Sequence, residues 1–330
     1  MNKKRTQYQV NLSIVLLGVF LIVQCGTPDQ RHAALSAEGF IQSNDDFELY
    51  YQIRGAGPDT LIMLHGGPGL NFDYLAPDLG QMEEHFTLIY YDQRGAGRST
   101  LISDPDLLNV EAHVTDLEAV RQHFNIDKVT LFGHSWGAIL ASFYVLEHSD
   151  KVAKMVFASP GPPRFYPYLS QLRSSIMAWM DDTKRDEIDR LMAARQDSTV
   201  SARKSCIDFW EPFIRGYFSD PYDLDLIRSM RGDFCAGPEE ALRNGAVVGT
   251  HTFASIDDFD LRERLQHIDL PVLLITGTDD IFPEESMYEW ETAYPNSKLV
   301  LLDGAGHYPQ VERPEVFFQV VRDFLRDSPE

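Results

Sequence analysis

The 330-residue sequence predicts an α/β fold, a mostly parallel sheet flanked by helices with a helical cap inserted into it. Three observations predict this class. Short apolar runs alternate with helical patterns from Phe47 to Ala158, the sequence mark of βαβ units whose helices cover both faces of a parallel sheet. A serine sits between two glycines at a strand-to-helix junction, Gly133-His134-Ser135-Trp136-Gly137. After Gly161-Pro162-Pro163 the alternation stops, and charged and aromatic helical segments run to about residue 250.

The elements follow in order. Lys3-Lys4-Arg5 and the apolar stretch Leu12 to Val23 form a charged n-region and a core too short for a comfortable membrane span. They read as an export signal over 1–25. Ile22-Val23-Gln24-Cys25-Gly26 resembles a bacterial lipoprotein box, so Cys25 is the expected lipidation site and any membrane association runs through that lipid or signal. Residues 26–38 are read as a tether, 39–161 as the first part of the core, 162–250 as the cap and 251–330 as the rest of the core. Strands are expected at Phe47 to Arg54, Leu61 to Leu64, Thr87 to Tyr91, Val129 to Phe132 and Val152 to Ala158. Helices are expected from Val110 to Phe124 and from the serine turn to His148. The cap, with helical segments at Ile176 to Met180, Cys206 to Trp210 and Asp223 to Met230, falls between the sixth and seventh sheet elements. Strands resume at Pro271 to Thr276 and Lys298 to Leu302.

The candidate chemistry sits where those strands end. A strand that delivers Ser135 onto a tight turn, with a helix starting at once, holds the hydroxyl exposed, and the two glycines remove Cβ atoms that would clash there. Such a serine needs a base, and the base needs an acid. Asp280 follows the Pro271 to Thr276 strand, and His307 follows the next strand within Gly304-Ala305-Gly306-His307. The order is serine, acid, histidine. Asp280 is preferred over Asp279, which reads as a solvated turn residue, while His65 and His134 read as structural groups. Backbone N–H groups at Gly67, in His65-Gly66-Gly67-Pro68-Gly69, and at Trp136 are the candidate donors to an oxyanion.

Those motifs, with Asp92-Gln93-Arg94-Gly95-Ala96-Gly97-Arg98-Ser99 and Glu312-Arg313-Pro314-Glu315, resemble the proline iminopeptidase branch of the α/β-hydrolases over residues 40–160 and 250–326. The resemblance implies a serine hydrolase that removes an amino-terminal residue, proline favoured, from small peptides through an acyl-enzyme. It also implies that Glu211, in a Trp-Glu pair, binds the substrate's amino terminus; Glu239 and Glu240 are further candidates without an alignment. An esterase or lactonase using the same triad is the alternative, and a non-catalytic ligand-binding surface lipoprotein is the remote one. Epoxide hydrolase and dehalogenase chemistry place an aspartate where Ser135 stands.

Composition limits the remaining options. A net charge of −21 argues against nucleic-acid binding. No Cys or His spacing suggests a metal and no glycine-rich phosphate loop follows the first strand, so no cofactor is expected. After Cys25 only Cys206 and Cys235 remain, both in the cap, either as a disulfide or as two buried thiols.

Overall fold

A computed structural model describes residues 35–43, 47–195 and 197–327. The export signal, Cys25 and the tether through residue 34 lie outside the described residues. Eight strands form one sheet: β1 Leu35–Gln42, β2 Glu48–Arg54, β3 Asp59–Leu64, β4 Phe86–Tyr91, β5 Val129–Ser135, β6 Val152–Pro160, β7 Val272–Gly277 and β8 Ser297–Leu302. Their spatial order is β1-β2-β4-β3-β5-β6-β7-β8. β1 and β2 pair antiparallel, as do β2 and β4, and every later pairing is parallel. Chain order therefore reverses around β3 and β5, and the carboxyl ends of the parallel strands there open the crevice in which such sheets bind ligands.

The strands that carry the site are apolar on both faces because helices cover both. Along β3, Ile62 and Leu64 pack into one core layer while Leu61 and Met63 pack into the other. β7 repeats the alternation, Val272 and Leu274 on one side and Leu273 and Ile275 on the other. Two helices fill the first layer from the amino-terminal half, α1 Val110–His123 and α2 Trp136–His148. Asn109 caps α1 by accepting the Ala112 N–H at 2.8 Å.

Between β6 and β7 lie α3 Tyr168–Ile176, α4 Asp182–Ala194, α5 Ala202–Phe213, α6 Leu224–Ser229 and α7 Glu239–Ala254. A separate apolar cluster built on Ile176, Met180, Ile188, Phe209 and Phe213 holds the first three together. It also takes in Ile281 and Phe282, the residues directly after Asp280, so the cap rests on the loop that carries the candidate acid. After α7 come α8 Arg262–Leu265, α9 Glu284–Ala293, α10 Pro309–Glu312 and α11 Pro314–Arg326.

The structure departs from the expectations at several points. β1 was read as part tether, and it is an edge strand with Phe40 exposed and Ile41 buried, too polar to stand out as an apolar run. The segment Ile176 to Met180 is not a helix: α3 ends at Ile176, and Met177 and Met180 are buried from a turn. Position 250 lies inside α7, which continues to Ala254. Cys206 and Cys235 form a disulfide with a Cα–Cα distance of 5.7 Å, tying α5 to the loop that precedes α7.

Candidate active site

Ser135 ends β5 and precedes the first residue of α2, with φ 55° and ψ −117°. A non-glycine residue rarely takes this conformation, and holding it costs on the order of 1–3 kcal/mol. The flanking glycines make the turn possible. A Cβ on Gly137 would lie 2.2 Å from the Leu64 carbonyl oxygen, and one on Gly133 would lie 2.7 Å from the Ala138 nitrogen. The elbow is thus pressed against the end of β3 and the first turn of α2.

β7 and β8 deliver the two partners. His307 Nδ1 donates to Asp280, 2.9 Å from Oδ1 and 3.1 Å from Oδ2. The carboxylate also accepts the Thr276 hydroxyl at 2.6 Å and the Phe282 N–H at 3.0 Å. Burial alone would raise the Asp280 carboxyl, but the His307 imidazole and these hydrogen bonds outweigh it and hold the group below the ordinary aspartate value. Asp280 is therefore ionised and fixes the ring with Nδ1 protonated. His307 Nε2 is buried without a hydrogen-bond partner among the described residues. Ser135 and His307 line one cavity of about 510 Å³. Asp279, by contrast, is exposed.

The loop carrying His307 is clamped from the cap side. The His307 N–H donates to the Tyr217 carbonyl at 2.7 Å. The buried Glu312 carboxylate accepts the Gly306 N–H at 2.7 Å, the Ser219 N–H at 3.0 Å and the Ser219 hydroxyl at 2.7 Å. Motif reading did not single out Thr276, and it quoted Glu312 only as part of a signature. Tyr217 and Glu312 join residues far apart in the chain, which local spacing does not reveal.

The two candidate backbone donors adjoin the serine: Gly67 lines the same cavity, and Trp136 directly follows Ser135. Trp136 opens α2, where the first N–H groups of a helix lack intrahelical partners and the helix dipole is positive. Gly67 lies in the loop after β3 with φ 124°, and its N–H makes no hydrogen bond among the described residues. His65 supports that loop: Nδ1 donates to the Gly66 carbonyl at 2.8 Å and Nε2 accepts the Gln93 N–H at 3.1 Å. Gln93 in turn accepts the Trp136 indole N–H at 2.9 Å. The Tyr74 hydroxyl accepts the Gly66 N–H at 2.6 Å and donates to His134 Nδ1 at 2.8 Å. Burial pushes His65 down to about 4 and His134 to about 3, so both rings are neutral scaffold groups.

The structure does not bring Glu211 to this cavity. Glu211 is exposed and lines a different hollow, with Glu187, Asp208, Arg215 and Arg228. Its neighbour Trp210 occupies the cavity wall instead. Adjacent helical residues project about 100° apart, so α5 presents the indole and turns the carboxylate away. Glu239 binds the Ser201 hydroxyl at 2.6 Å at the protein surface, and Glu240 lines a third hollow near Ile102. Among the aromatic residues of the cap, Trp210 and Tyr217 line the cavity, whereas Phe209 and Phe218 are core. No carboxylate is among the described residues that line the cavity.

Comparison with known proteins agrees with this architecture. The family described as alpha/beta hydrolase fold matches residues 59–314. A proline iminopeptidase of Clostridioides difficile (strain 630) is 28% identical over 292 residues, covering 84% of this chain and 94% of that protein. Among solved structures, a proline iminopeptidase of Mycobacterium smegmatis superposes with a TM-score of 0.65 at 22% identity, over 88% of this chain and 97% of the other. An esterase of Exiguobacterium antarcticum superposes with a TM-score of 0.64, also at 22% identity, over 88% of this chain and 100% of the other. The resemblance drawn from the sequence motifs is borne out.

Proposed function

The chain belongs to the alpha/beta hydrolase fold family, and from that premise we propose that it is a serine hydrolase cleaving a small ester or amide through an acyl-enzyme on Ser135. The observation that carries this reading is the Asp280–His307 pair, which leaves a buried, unpartnered Nε2 on the cavity that Ser135 lines. In the proposed mechanism Ser135 Oγ attacks the substrate carbonyl carbon while Nε2 takes its proton. Asp280 stabilises the imidazolium, and the Gly67 and Trp136 N–H groups receive the charge that develops on the carbonyl oxygen. His307 then protonates the leaving group as its bond to the acyl carbon breaks. Water then attacks the acyl carbon while losing a proton to the same nitrogen, and the bond to Ser135 Oγ breaks as His307 returns that proton to Oγ, which releases the acid.

Two finer readings differ in the substrate. Release of an amino-terminal residue from small peptides, proline favoured, is supported by the proline iminopeptidase relatives. Ester or lactone hydrolysis is favoured by the cavity itself, because a free α-ammonium in a partly desolvated site needs a carboxylate and none of the described lining residues supplies one. Initial rates on prolyl, alanyl and N-acetyl-prolyl anilides beside a short-chain nitrophenyl ester, with Ser135→Ala as control, separate them. Anilide cleavage lost on acetylation identifies the aminopeptidase. Ester turnover alone identifies the esterase or lactonase, and activity unchanged in Ser135→Ala refutes the mechanism.

We also propose that the protein works outside the cytoplasm. The Cys206–Cys235 disulfide supports this, since such bonds persist in oxidising compartments. Recovery of the whole protein in the cytoplasmic fraction of its host would refute it.

A further inference from the structure

The cavity that holds Ser135 carries an unmatched positive charge. Arg195, just after α4, reaches its wall together with Met192, Trp210 and Thr250. Among the described residues no carboxylate pairs with this guanidinium; its protein contacts are one long hydrogen bond to the Leu242 carbonyl, 3.4 Å, and the Phe209 ring, 5.1 Å from the guanidinium carbon to the centroid. Of the acids on neighbouring elements, Asp208 binds Lys204, Glu239 binds Ser201, the Ala202 N–H and Arg243, and Glu187, Glu211 and Glu240 line other hollows. Burial lowers the basicity of Arg195 with no nearby charge offsetting it. A guanidinium nevertheless stays protonated in proteins, and leaving one partly buried without an anion is costly.

Trp210 belongs to the same wall. The Trp210 indole N–H is buried with no partner among the described residues, although a buried indole N–H usually finds one. The remaining lining is largely glycine, aromatic and aliphatic, including Leu70, Phe253 and Ile281. A cavity with one fixed cation and no carboxylate among its described lining residues is built for a ligand that is apolar over most of its surface and bears one anionic group.

We propose that Arg195 is a specificity-determining residue that binds a carboxylate of the substrate, so that the ester or amide cleaved at Ser135 belongs to a monoanionic carboxylate-bearing molecule. A planar carboxylate matches the guanidinium fork. A single cation balances one negative charge, which favours a carboxylate over a doubly charged phosphate. The proposal rests on the reading that Ser135 is the nucleophile of this cavity. It holds for either bond type, since a half-ester of a dicarboxylic acid and a dipeptide with a free carboxyl terminus both supply the group.

The test compares charge selectivity in wild type, Arg195→Gln and Arg195→Lys. One substrate pair places the charge on the acyl side, nitrophenyl hemiglutarate against nitrophenyl butyrate. The other places it on the leaving group, the butyryl ester of 4-hydroxybenzoate against that of its methyl ester. In at least one pair, wild type is expected to favour the anionic member. The anionic-to-neutral ratio of kcat/KM then falls about tenfold to a hundredfold in Arg195→Gln, the range for losing a hydrogen bond to a charged group. Arg195→Lys retains part of the preference. Free glutarate raises the Tm of wild type and not of Arg195→Gln, a readout that needs no turnover. Equal ratios in wild type and Arg195→Gln for both pairs, with no glutarate shift, overturn the proposal. Absence of any Ser135-dependent hydrolysis, even of neutral esters, overturns instead the reading on which it rests.

Discussion

Ser135, Asp280 and His307 were legible because each follows a short apolar strand and sits in a turn whose glycines have a steric reason to be there. Gly277 illustrates the point: a Cβ there would lie 1.8 Å from the Ala305 carbonyl oxygen, so the strand bearing the acid and the loop bearing the histidine touch through that gap. The role proposed for Asp280 predicts that Asp280→Asn lowers kcat by about 10³ to 10⁴ with the fold intact, because an amide neither fixes the Nδ1-protonated tautomer nor stabilises an imidazolium. Steady-state rates beside an unchanged circular dichroism spectrum check this, and a loss below tenfold contradicts the assignment. Glu211 and Arg195 show where the residue scale becomes unreadable from sequence. Which face of α5 meets the cavity is decided by packing in the cap, where Phe209 and Phe213 are buried and Glu211 is left outside. Arg195 lies at the polar carboxyl end of α4, and nothing in its local pattern marks it as cavity lining.

At the scale of elements, the central strands and the two helices α1 and α2 were readable to within three residues because the strands are apolar on both faces and turn residues bound the elements. The cap was harder. Its helices are polar, with Ile188 the buried residue of α4, and α3, α4 and α5 share an apolar cluster of their own that meets the core at Ile281 and Phe282. The disulfide compensates by closing a loop with a sequence separation of 29 residues. On the chain-entropy account such a closure contributes on the order of 3–4 kcal/mol. Replacing both cysteines with serine is therefore expected to lower the unfolding free energy by a few kcal/mol and to make the cap, which supplies Trp210, Tyr217 and Arg195 to the cavity, more open to proteolysis. Denaturant melts and limited trypsin digestion measure the two effects. A double variant as stable and as resistant as wild type would contradict the role given to the bond.

For the molecule as a whole, the scaffold behind the cavity depends on histidines kept neutral by burial. His113 is pushed down to about 3, as is His134, and His65 to about 4, against an ordinary value of 6.5. Below pH 6.5 the unfolded chain binds protons at these sites that the folded protein refuses. Stability is therefore full above that pH and falls as the pH drops toward 4, by up to about 1.4 kcal/mol per unit for each histidine. His113→Gln is expected to make the acid slope of unfolding free energy shallower by about one proton, read from denaturant melts between pH 7 and 5; identical slopes would contradict the burial argument. Half-buried Asp73 and buried Asp78, Glu83 and Glu312 are shifted upward by desolvation and act in the opposite sense, and comparing the two slopes cancels them. The acidity of the chain, −21 overall, coexists with a cavity whose unpaired charge is positive, so composition alone does not forecast the ligand. The central claim is that Ser135 is a nucleophile activated by His307. The most direct test treats folded protein with a fluorophosphonate and locates the adduct by peptide mass spectrometry. The account predicts one stoichiometric label on Ser135, abolished in Ser135→Ala and strongly slowed in His307→Ala. No label on the folded wild type, or label elsewhere with Ser135 untouched, would contradict it.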